Sequence, residues 1–313
     1  MTATLPSGRR AGSLPGRLAA WTYERFPPGL VAVLLPAYLV ALLYGRAVGQ
    51  AGPPRPHPGD LAAFTGFWAF FLMLRVIDDH KDYARDVAAY PGRALQRGDV
   101  TLDQLKVVAA LAWAVQLAVV LTADGGLGPV GLWWVLTLAW TALAAKDFFV
   151  GARIGDRPVL QPLLHLPVSG LACLWVAQLG AGARSLPARA YAVAALGIAL
   201  SASVDLVRKL LPGDGGGRAY LVALGPRRAA LAGAMVVTAQ TGVLAALVLL
   251  GSGRAAGALI PTLLAAGPLA ALSRLAVAPA PGRARAARTA LASVVPGQLA
   301  VAAAALLIGP GGR

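Results

Sequence analysis

Residues 61–86 read LAAFTGFWAFFLMLRVIDDHKDYARD, an apolar run that leads directly into four aspartates within nine residues. The apolar part, 61–77, is continuous, whereas a strand of a membrane barrel would alternate apolar and polar residues. In lipid only helices and closed barrels satisfy every backbone hydrogen bond. The stretch therefore predicts a membrane-spanning helix that leaves the bilayer into an acidic segment.

The composition of the whole chain is that of an integral membrane protein. Of its 313 residues 58% are hydrophobic and 13% charged, with a mean hydropathy of +0.67, whereas soluble proteins average about 25% charged residues. The one cysteine, Cys173, excludes a disulfide framework and a multi-cysteine metal site.

Nine apolar runs are long enough to be candidates for bilayer spans, which need roughly 20 residues. They predict an all-α fold, a polytopic bundle of nine transmembrane helices with a polar cavity that faces the cytoplasm. We expect a partly disordered cytoplasmic tail at 1-28, a transmembrane domain at 29-308 and a C-terminal tail at 309-313. The predicted spans are 29-48, 61-77, 104-122, 128-145, 159-179, 188-204, 229-250, 256-277 and 289-308.

Basic residues are unevenly divided between the two sides that nine spans define. The N-terminal side carries 22 of the 28 Lys and Arg residues and the other side carries 6. Because basic loops stay in the cytoplasm, we predict a multi-pass protein of the cell membrane with its N-terminus in the cytoplasm and its C-terminus outside. The net charge of +15 then reflects orientation and attraction to membrane lipids rather than nucleic-acid binding.

The predicted cytoplasmic side also holds 11 of the 13 carboxylates. If the second helix continues, Asp78, Asp82 and Asp86 lie one turn apart on one face, with Asp79 close by. Such acids repel one another unless cations bind them, and Mg²⁺ commonly binds one or two carboxylates together with phosphates of a substrate. The spacing fits equally well a solvated helix end whose acids pair with Arg75, Lys81 and Arg85.

The acidic segment resembles a known motif. Asp78-Asp79-x-x-Asp82-x-x-x-Asp86 is similar to the first aspartate-rich motif of the UbiA superfamily of intramembrane prenyltransferases, N-D-x-x-D-x-x-x-D, with Asp78 in place of Asn. Residues 93–101, RALQRGDVT, resemble the R-P-L-P-x-G-x-x-S segment that follows it in the family. Family members also have nine transmembrane helices, so the resemblance covers most of the chain in architecture.

A second family motif, D-x-x-x-D at the end of the sixth span, is only partly matched. The chain reads Asp205-Leu-Val-Arg208-Lys209, so Lys209 stands in the place of the second acid and Asp214 is the nearest substitute. Either Asp205 works with Asp214, or Arg208 and Lys209 bind a diphosphate directly. At the end of the fourth span, Lys146 matches the lysine of a family Y-x-x-x-K element.

The topology predicts where these residues meet. Spans two, four and six all end on the same side, so we expect Asp82, Lys146 and Asp205 to converge on one cavity mouth.

The resemblance implies a Mg²⁺-dependent enzyme that ionises a polyprenyl diphosphate and transfers the prenyl group to an aromatic or lipid acceptor. In this hypothesis Asp78, Asp82, Asp205 and Lys146 are catalytic. The implied metal ligands are Asp78, Asp79, Asp82, Asp86, Asp205 and Asp214, and the implied diphosphate-binding residues are Lys146, Arg208 and Lys209.

Two other functions stay open on the sequence. A terpene cyclase, an activity also found in the superfamily, would fold its substrate against rings such as Phe67, Phe70 or Phe71. A transporter would use intramembrane groups such as His165 to relay ions. Transporters usually bind their substrates near the midplane, whereas the acids of this chain gather at one membrane face, which disfavours transport.

The predicted orientation is testable by cysteine labelling. A cysteine introduced near Gly213 should react with a membrane-impermeant reagent only from the cytoplasmic side, and one near Arg184 only from outside, because 22 of the 28 basic residues fall on the side of Gly213. Labelling near Gly213 from outside would contradict the grouping of the candidate residues.

Overall fold

The structure is a computed structural model that describes residues 12–49, 54–150, 160–211 and 219–308. Within these ranges the chain forms α-helices and two short 3-10 helices and no strands. The α-helices are α1 (Leu14–Arg25), α2 (Pro28–Gly49), α3 (Gly59–Lys81), α4 (Tyr83–Ala89), α5 (Leu102–Asp124), α6 (Pro129–Ala145), α7 (Leu160–Ala181), α8 (Ala192–Lys209), α9 (Tyr220–Ser252), α10 (Ala255–Leu264), α11 (Ala266–Val277) and α12 (Pro281–Ile308).

The predicted all-α membrane architecture is confirmed. In the described part of the chain eight segments are long and apolar enough to span a membrane, and α10 and α11 together make one of them, Ala255–Val277. A further apolar helix, α6, has 17 residues and is about 25 Å long at 1.5 Å per residue, slightly less than a typical hydrocarbon core of about 30 Å. The count of nine crossings therefore depends on α6 and stays a prediction.

The helices extend beyond the apolar runs that predict them. In the tail predicted to be partly disordered, residues 14–25 form α1, with Ser13 as its N-cap and Trp21 buried. Helix α9, which contains the seventh predicted span, begins at Tyr220 instead of 229 and is broken at Gly225, whose φ is 74°. Helix α12, which contains the last predicted span, begins at Pro281 instead of 289. Apolar composition marks the lipid-crossing part of a helix, whereas the helix itself continues into its polar ends.

Helix α7 lies at the centre of the bundle, where it packs against α2, α6 and α8. Its contact with α2 is close enough that a Cβ atom at Gly45 would collide with the carbonyl group of Ala177. A Cβ at Gly197 on α8 would likewise collide with the backbone of Ser169 on α7. Small residues allow such close approach of membrane helices, which is stabilised by van der Waals packing.

A buried polar network joins α8, α9 and α12 to the break between α10 and α11. Ser203 Oγ donates to Gln240 Oε1 (2.6 Å), and Gln240 Nε2 donates to Gln298 Oε1 (2.8 Å). Gln298 Nε2 in turn donates to the carbonyl oxygen of Pro261 (2.7 Å), one turn before the break at Ala265. These bonds stabilise the bundle because buried polar groups without partners are costly.

The close contact of α2 and α7 predicts a difference between two glycines. Gly45→Ala should lower the thermal stability of the protein in detergent, because overpacking costs about 1–3 kcal/mol, more than the roughly 1 kcal/mol that alanine gains in helix propensity. Gly242→Ala, where a Cβ meets open space, should leave stability unchanged or raise it. Equal melting temperatures for the two variants would contradict the close packing.

Candidate functional site

The ends of α3, α6 and α8 meet at one end of the bundle, which we call the charged end. Lys81, the last residue of α3, forms an ion pair with Asp147, two residues beyond the end of α6. On the other side of α3, the guanidinium groups of Arg75 and of Arg208 near the end of α8 are close enough to repel each other. The ends of these three helices therefore lie together at the charged end.

The acidic segment keeps its helical spacing although the helix is interrupted. α3 ends at Lys81, Asp82 has φ −97° and ψ 4°, and α4 begins one residue later. The backbone N–H of Asp82 donates to the carbonyl of Asp78, and that of Asp86 donates to Asp82, both at 2.9 Å. These three aspartates thus follow one another at intervals of one turn, as the sequence predicts.

The last turns of α3 have two opposite faces of different charge. Successive residues of an α-helix are rotated by about 100°, so residues at positions 75, 78, 79 and 82 share one face and those at 76, 77, 80 and 81 share the other. The first set consists of Arg75, Asp78, Asp79 and Asp82, and the second consists of Val76, Ile77, His80 and Lys81. We call Asp78, Asp79, Asp82 and Asp86 the acidic cluster. Its first three members lie on the side of α3 opposite to the basic face, which carries His80 and Lys81.

Asp79 is bound by α1. Its carboxylate accepts a hydrogen bond from Trp21 Nε1 at 2.9 Å and forms an ion pair with Arg25, and its side chain is 3% exposed. Asp79 was predicted to be a metal ligand, but both of its oxygens are occupied by protein donors. Trp21 and Arg25 are spaced i, i+4 on one face of α1. This helical spacing is present in the sequence, but the prediction of a tail at residues 1-28 did not take it into account.

The segment between α4 and α5 also folds against α1 and α4. The backbone N–H of Ala94 donates to Glu24 Oε2 (3.0 Å), and Arg17 Nε donates to the carbonyl of Asp99 (2.8 Å). Arg93 Nη1 donates to Asp86 Oδ2 at 2.8 Å, and the Asp86 side chain is 7% exposed. Asp86 is thus neutralised within the protein, and the motif segment 93–101 is held against α1 and α4.

Asp78 and Asp82 are the accessible acids of the cluster, with side chains 50% and 29% exposed. Asp78 lies 3.4 Å from Arg75, and Asp82 lies 2.8 Å from Arg85, which is itself 67% exposed. Burial raises the pKa of Asp82, Arg85 opposes this, and the neighbouring charge of Asp78 adds to it. A carboxylate whose charge is disfavoured in this way gains from a nearby cation.

No protein-only metal cluster is present among the described residues, because no three His, Cys, Asp or Glu side chains in them come close enough to hold an ion. Asp78 and Asp82 can contribute two carboxylates, so an ion bound there would need ligands from another molecule.

The second motif forms an internal ion pair. Lys209 Nζ lies 2.6 Å from Asp205 Oδ1, and the hydroxyl of Tyr220 donates to Asp205 Oδ2 at 2.6 Å. The tyrosine comes from the start of α9, and nothing in the sequence predicts this contact between two helices. Arg208 is exposed, and Asp214 lies outside the described residues.

Lys146 does not join the carboxylates, contrary to the prediction that it lies at their cavity mouth. It lines an open cleft of about 480 Å³ on the opposite, basic face of α3, together with residues of α5. The reason is geometric: α6 ends at the same end of the bundle but packs on the other side of α3.

Beside this cleft the chain turns sharply. Asp147, Phe148 and Phe149 have φ values between 46° and 60°, a left-handed conformation that costs energy for residues other than glycine. His165 Nε2 lies 3.2 Å from Asp147 Oδ1. Burial opposes ionisation of Asp147, but hydrogen bonds from Lys81 and His165 outweigh it and lower the pKa of the carboxyl. His165 thus has a structural partner at the charged end.

The fold resembles that of a known membrane enzyme. A digeranylgeranylglyceryl phosphate synthase has a similar structure, with a TM-score of 0.60 and 14% sequence identity over 94% of this chain and 98% of that protein. A UbiA homolog from Archaeoglobus fulgidus bound to Cd²⁺ gives a TM-score of 0.42 and 16% identity over 88% of this chain and 98% of the homolog, a level that does not establish a shared fold. No family model matches the sequence, and comparison with curated proteins finds no significant match. At 14% identity the first similarity shows that the chain has the synthase's fold.

The burial of Asp79 predicts that it stabilises the fold. Arg25→Ala should lower the free energy of unfolding in detergent by about 3–5 kcal/mol, because it leaves a buried carboxylate unpaired. Asp78→Ala should change it little, since Asp78 is half exposed. Replacing the pair together, as Arg25→Met with Asp79→Leu, should recover much of the loss. Equal stability of the Arg25→Ala and Asp78→Ala variants would contradict the assignment.

Proposed function

We propose that this chain is a membrane prenyltransferase of the UbiA superfamily that ionises a polyprenyl diphosphate with the help of Mg²⁺ and transfers the prenyl group to an acceptor. The observation that carries the proposal is the pair of accessible acids, Asp78 and Asp82, beside two arginines at the end of an apolar bundle with the fold of a membrane synthase. In the predicted orientation, the charged end faces the cytoplasm.

The residues fit Mg²⁺ in the manner typical of phosphate substrates. Mg²⁺ usually takes one or two carboxylates and completes its shell with water and phosphate oxygens, and Asp78 and Asp82 supply two carboxylates one turn apart. When bound, the ion would neutralise the diphosphate and so favour its departure. Asp79 and Asp86 are left out of this ligand set, because each is already paired with an arginine.

A second ion at Asp205 is less well supported than direct binding of the diphosphate by bases. Lys209 already balances the charge of Asp205, which leaves the exposed Arg208 and the neighbouring Arg75 as cations for phosphate oxygens. Arginine binds two such oxygens at once through its planar group. We therefore assign diphosphate binding to Arg75 and Arg208, with the Lys209–Asp205 pair beside them, and not to Lys146.

The reaction breaks the bond between the allylic carbon and the diphosphate oxygen. Diphosphate leaves with the electron pair, and Arg75 and Arg208 stabilise the negative charge that develops on it. The acceptor then attacks the allylic carbocation through its own electron pair and loses a proton. The name of the synthase with the similar fold supports a lipid acceptor, with an aromatic acceptor as the other class.

Cyclisation of the same carbocation is the competing outcome. A cyclase needs aromatic rings that line the space around its substrate, but Phe67 and Phe70 are 2% and 0% exposed. They pack against Tyr38, Phe71 and Trp175 in the core. This packing favours transfer.

The experiment that tests the proposal measures release of diphosphate from prenyl diphosphates of several lengths by the purified protein. Asp82→Ala should reduce turnover about 100-fold or more without unfolding the protein in detergent, and excess chelator should do the same to the unchanged protein. Asp103→Ala, at a site whose side chain is 86% exposed, is the matched control and should retain activity. Undiminished turnover by Asp82→Ala would contradict the assignment of this carboxylate.

The products separate transfer from cyclisation. A transferase alone should release diphosphate slowly, and addition of membrane extract should yield a prenylated lipid or aromatic compound, because the acceptor must lie beside the allylic carbon. Cyclic hydrocarbon or alcohol formed without extract would show a cyclase. No diphosphate release under any condition would contradict both.

A further inference from the structure

Lysine is rare in this chain, and its few lysines are not scattered. Of the 28 basic residues only four are lysine, at positions 81, 106, 146 and 209. Three of them, Lys81, Lys106 and Lys146, line the same cleft although they come from three different parts of the chain. The fourth, Lys209, lies on the other side of the charged end, paired with Asp205.

The cleft combines a basic rim with an apolar wall. It lies where α3, α5 and α6 meet at the charged end, is open at the surface of the protein, and has a volume of about 480 Å³. Below the lysines and His80, the wall consists of Val76, Ile77, Ala109 and Ala145. A ligand that fits both parts carries negative charge on an apolar chain.

Several donors of the rim are available to such a ligand. Lys106 pairs with Asp103 in an exposed ion pair, and exposed pairs of this kind contribute little free energy. Lys146 is exposed and forms no ion pair with any residue that the structure describes. Only Lys81 is firmly held, by the carboxylate of Asp147.

His80 adds a polar atom that lacks a partner. Its Nδ1 donates to the carbonyl oxygen of Val76 at 2.8 Å. Its Nε2 is buried and has no hydrogen-bond partner in the described part of the chain. Because Nδ1 is the donor, Nε2 of a neutral imidazole can only accept a hydrogen bond, and a phosphate has none to donate. His80 therefore adds no donor to the rim, and the lysines alone supply its positive charge.

The position and the choice of lysine favour a phosphate headgroup. Lysine presents a compact charge on a flexible stem, which can reach a phosphate at the surface of a bilayer. Basic pockets between transmembrane helices on the cytoplasmic side bind headgroups of anionic lipids. The face of α3 that carries the cleft is opposite to the face that carries Asp78 and Asp82, so the cleft is separate from the proposed diphosphate site.

We propose that this cleft binds an anionic phospholipid of the surrounding bilayer. Lys106 and Lys146 hold its phosphate beside the Lys81–Asp147 ion pair, and the first methylene groups of its chains lie against Val76 and Ile77. The site goes beyond the proposed function and does not depend on it, because lipid binding requires neither metal nor turnover.

Amine acetylation of the whole protein in lipid nanodiscs tests the proposal, since each of the four lysines is a separate reporter by mass spectrometry. Discs of phosphatidylcholine with phosphatidylglycerol should slow acetylation of Lys106 and Lys146 at least about threefold relative to discs of phosphatidylcholine alone, as occupancy at twice the Kd would do. Lys209 should react at the same rate in both. Equal slowing of all four lysines would reveal only the surface potential of the bilayer and would overturn the proposal.

Two variants with the same change of charge sharpen the test. Lys106→Gln should return Lys146 to the acetylation rate seen in phosphatidylcholine alone, because the phosphate loses one of its two mobile amines. Arg285→Gln, at an exposed position of α12, is the matched control and should leave protection of Lys146 intact. Both positions are exposed, so melting temperatures should match that of the unchanged protein. Full protection of Lys146 in Lys106→Gln would contradict a shared phosphate.

Soluble ligands separate this site from the proposed active site. Inorganic phosphate in phosphatidylcholine discs should not protect the cleft lysines, and protection by phosphate alone would overturn the assignment to a lipid. A prenyl diphosphate with Mg²⁺ should protect Lys209 and leave Lys106 and Lys146 unchanged. Failure to protect Lys209 would count against the proposed function only, whereas protection of the cleft lysines by the diphosphate would overturn the lipid site.

Discussion

The buried carboxylate of Asp79 fixes the rotation of α3 about its axis. A charge with an exposed fraction of 3% requires donors close by, and the Trp21 and Arg25 side chains of α1 supply them. Because the pair holds one face of α3 against α1, the neighbouring residues Asp78 and Asp82 are directed toward the arginines of the charged end. The same constraint directs His80 and Lys81 to the opposite side, toward α5 and α6.

The last turns of α3 thus separate two charged surfaces that suit different anions. On one face, two accessible carboxylates lie near Arg75 and Arg208, an arrangement suited to an anion that arrives with a metal ion. On the other face, lysines surround an apolar wall, an arrangement suited to an anion that arrives on a lipid.

The sequence predicts the spans and the acidic segment well because both depend on local composition. Apolar runs mark the helices, and the spacing of Asp78, Asp82 and Asp86 survives even the interruption at Asp82. Parity also predicts which helix ends meet. The sequence does not predict on which side of α3 each partner packs, since spans that are apolar all round carry no periodic signal of their orientation. Lys146 was placed on the wrong side of α3 for this reason, and α1 was missed because residues 1-28 are polar and contain proline and glycine.

The pairing of α1 with α3 also sets an order of events during synthesis. Arg25 leaves the ribosome 54 residues before Asp79, so α1 is made long before the carboxylate that it neutralises. Domains fold from the N-terminus as they emerge, yet this N-terminal helix has to wait in the aqueous phase until two hydrophobic segments have been inserted. Its docking can follow only after the second segment has been inserted, and it then removes the Asp79 carboxylate from water.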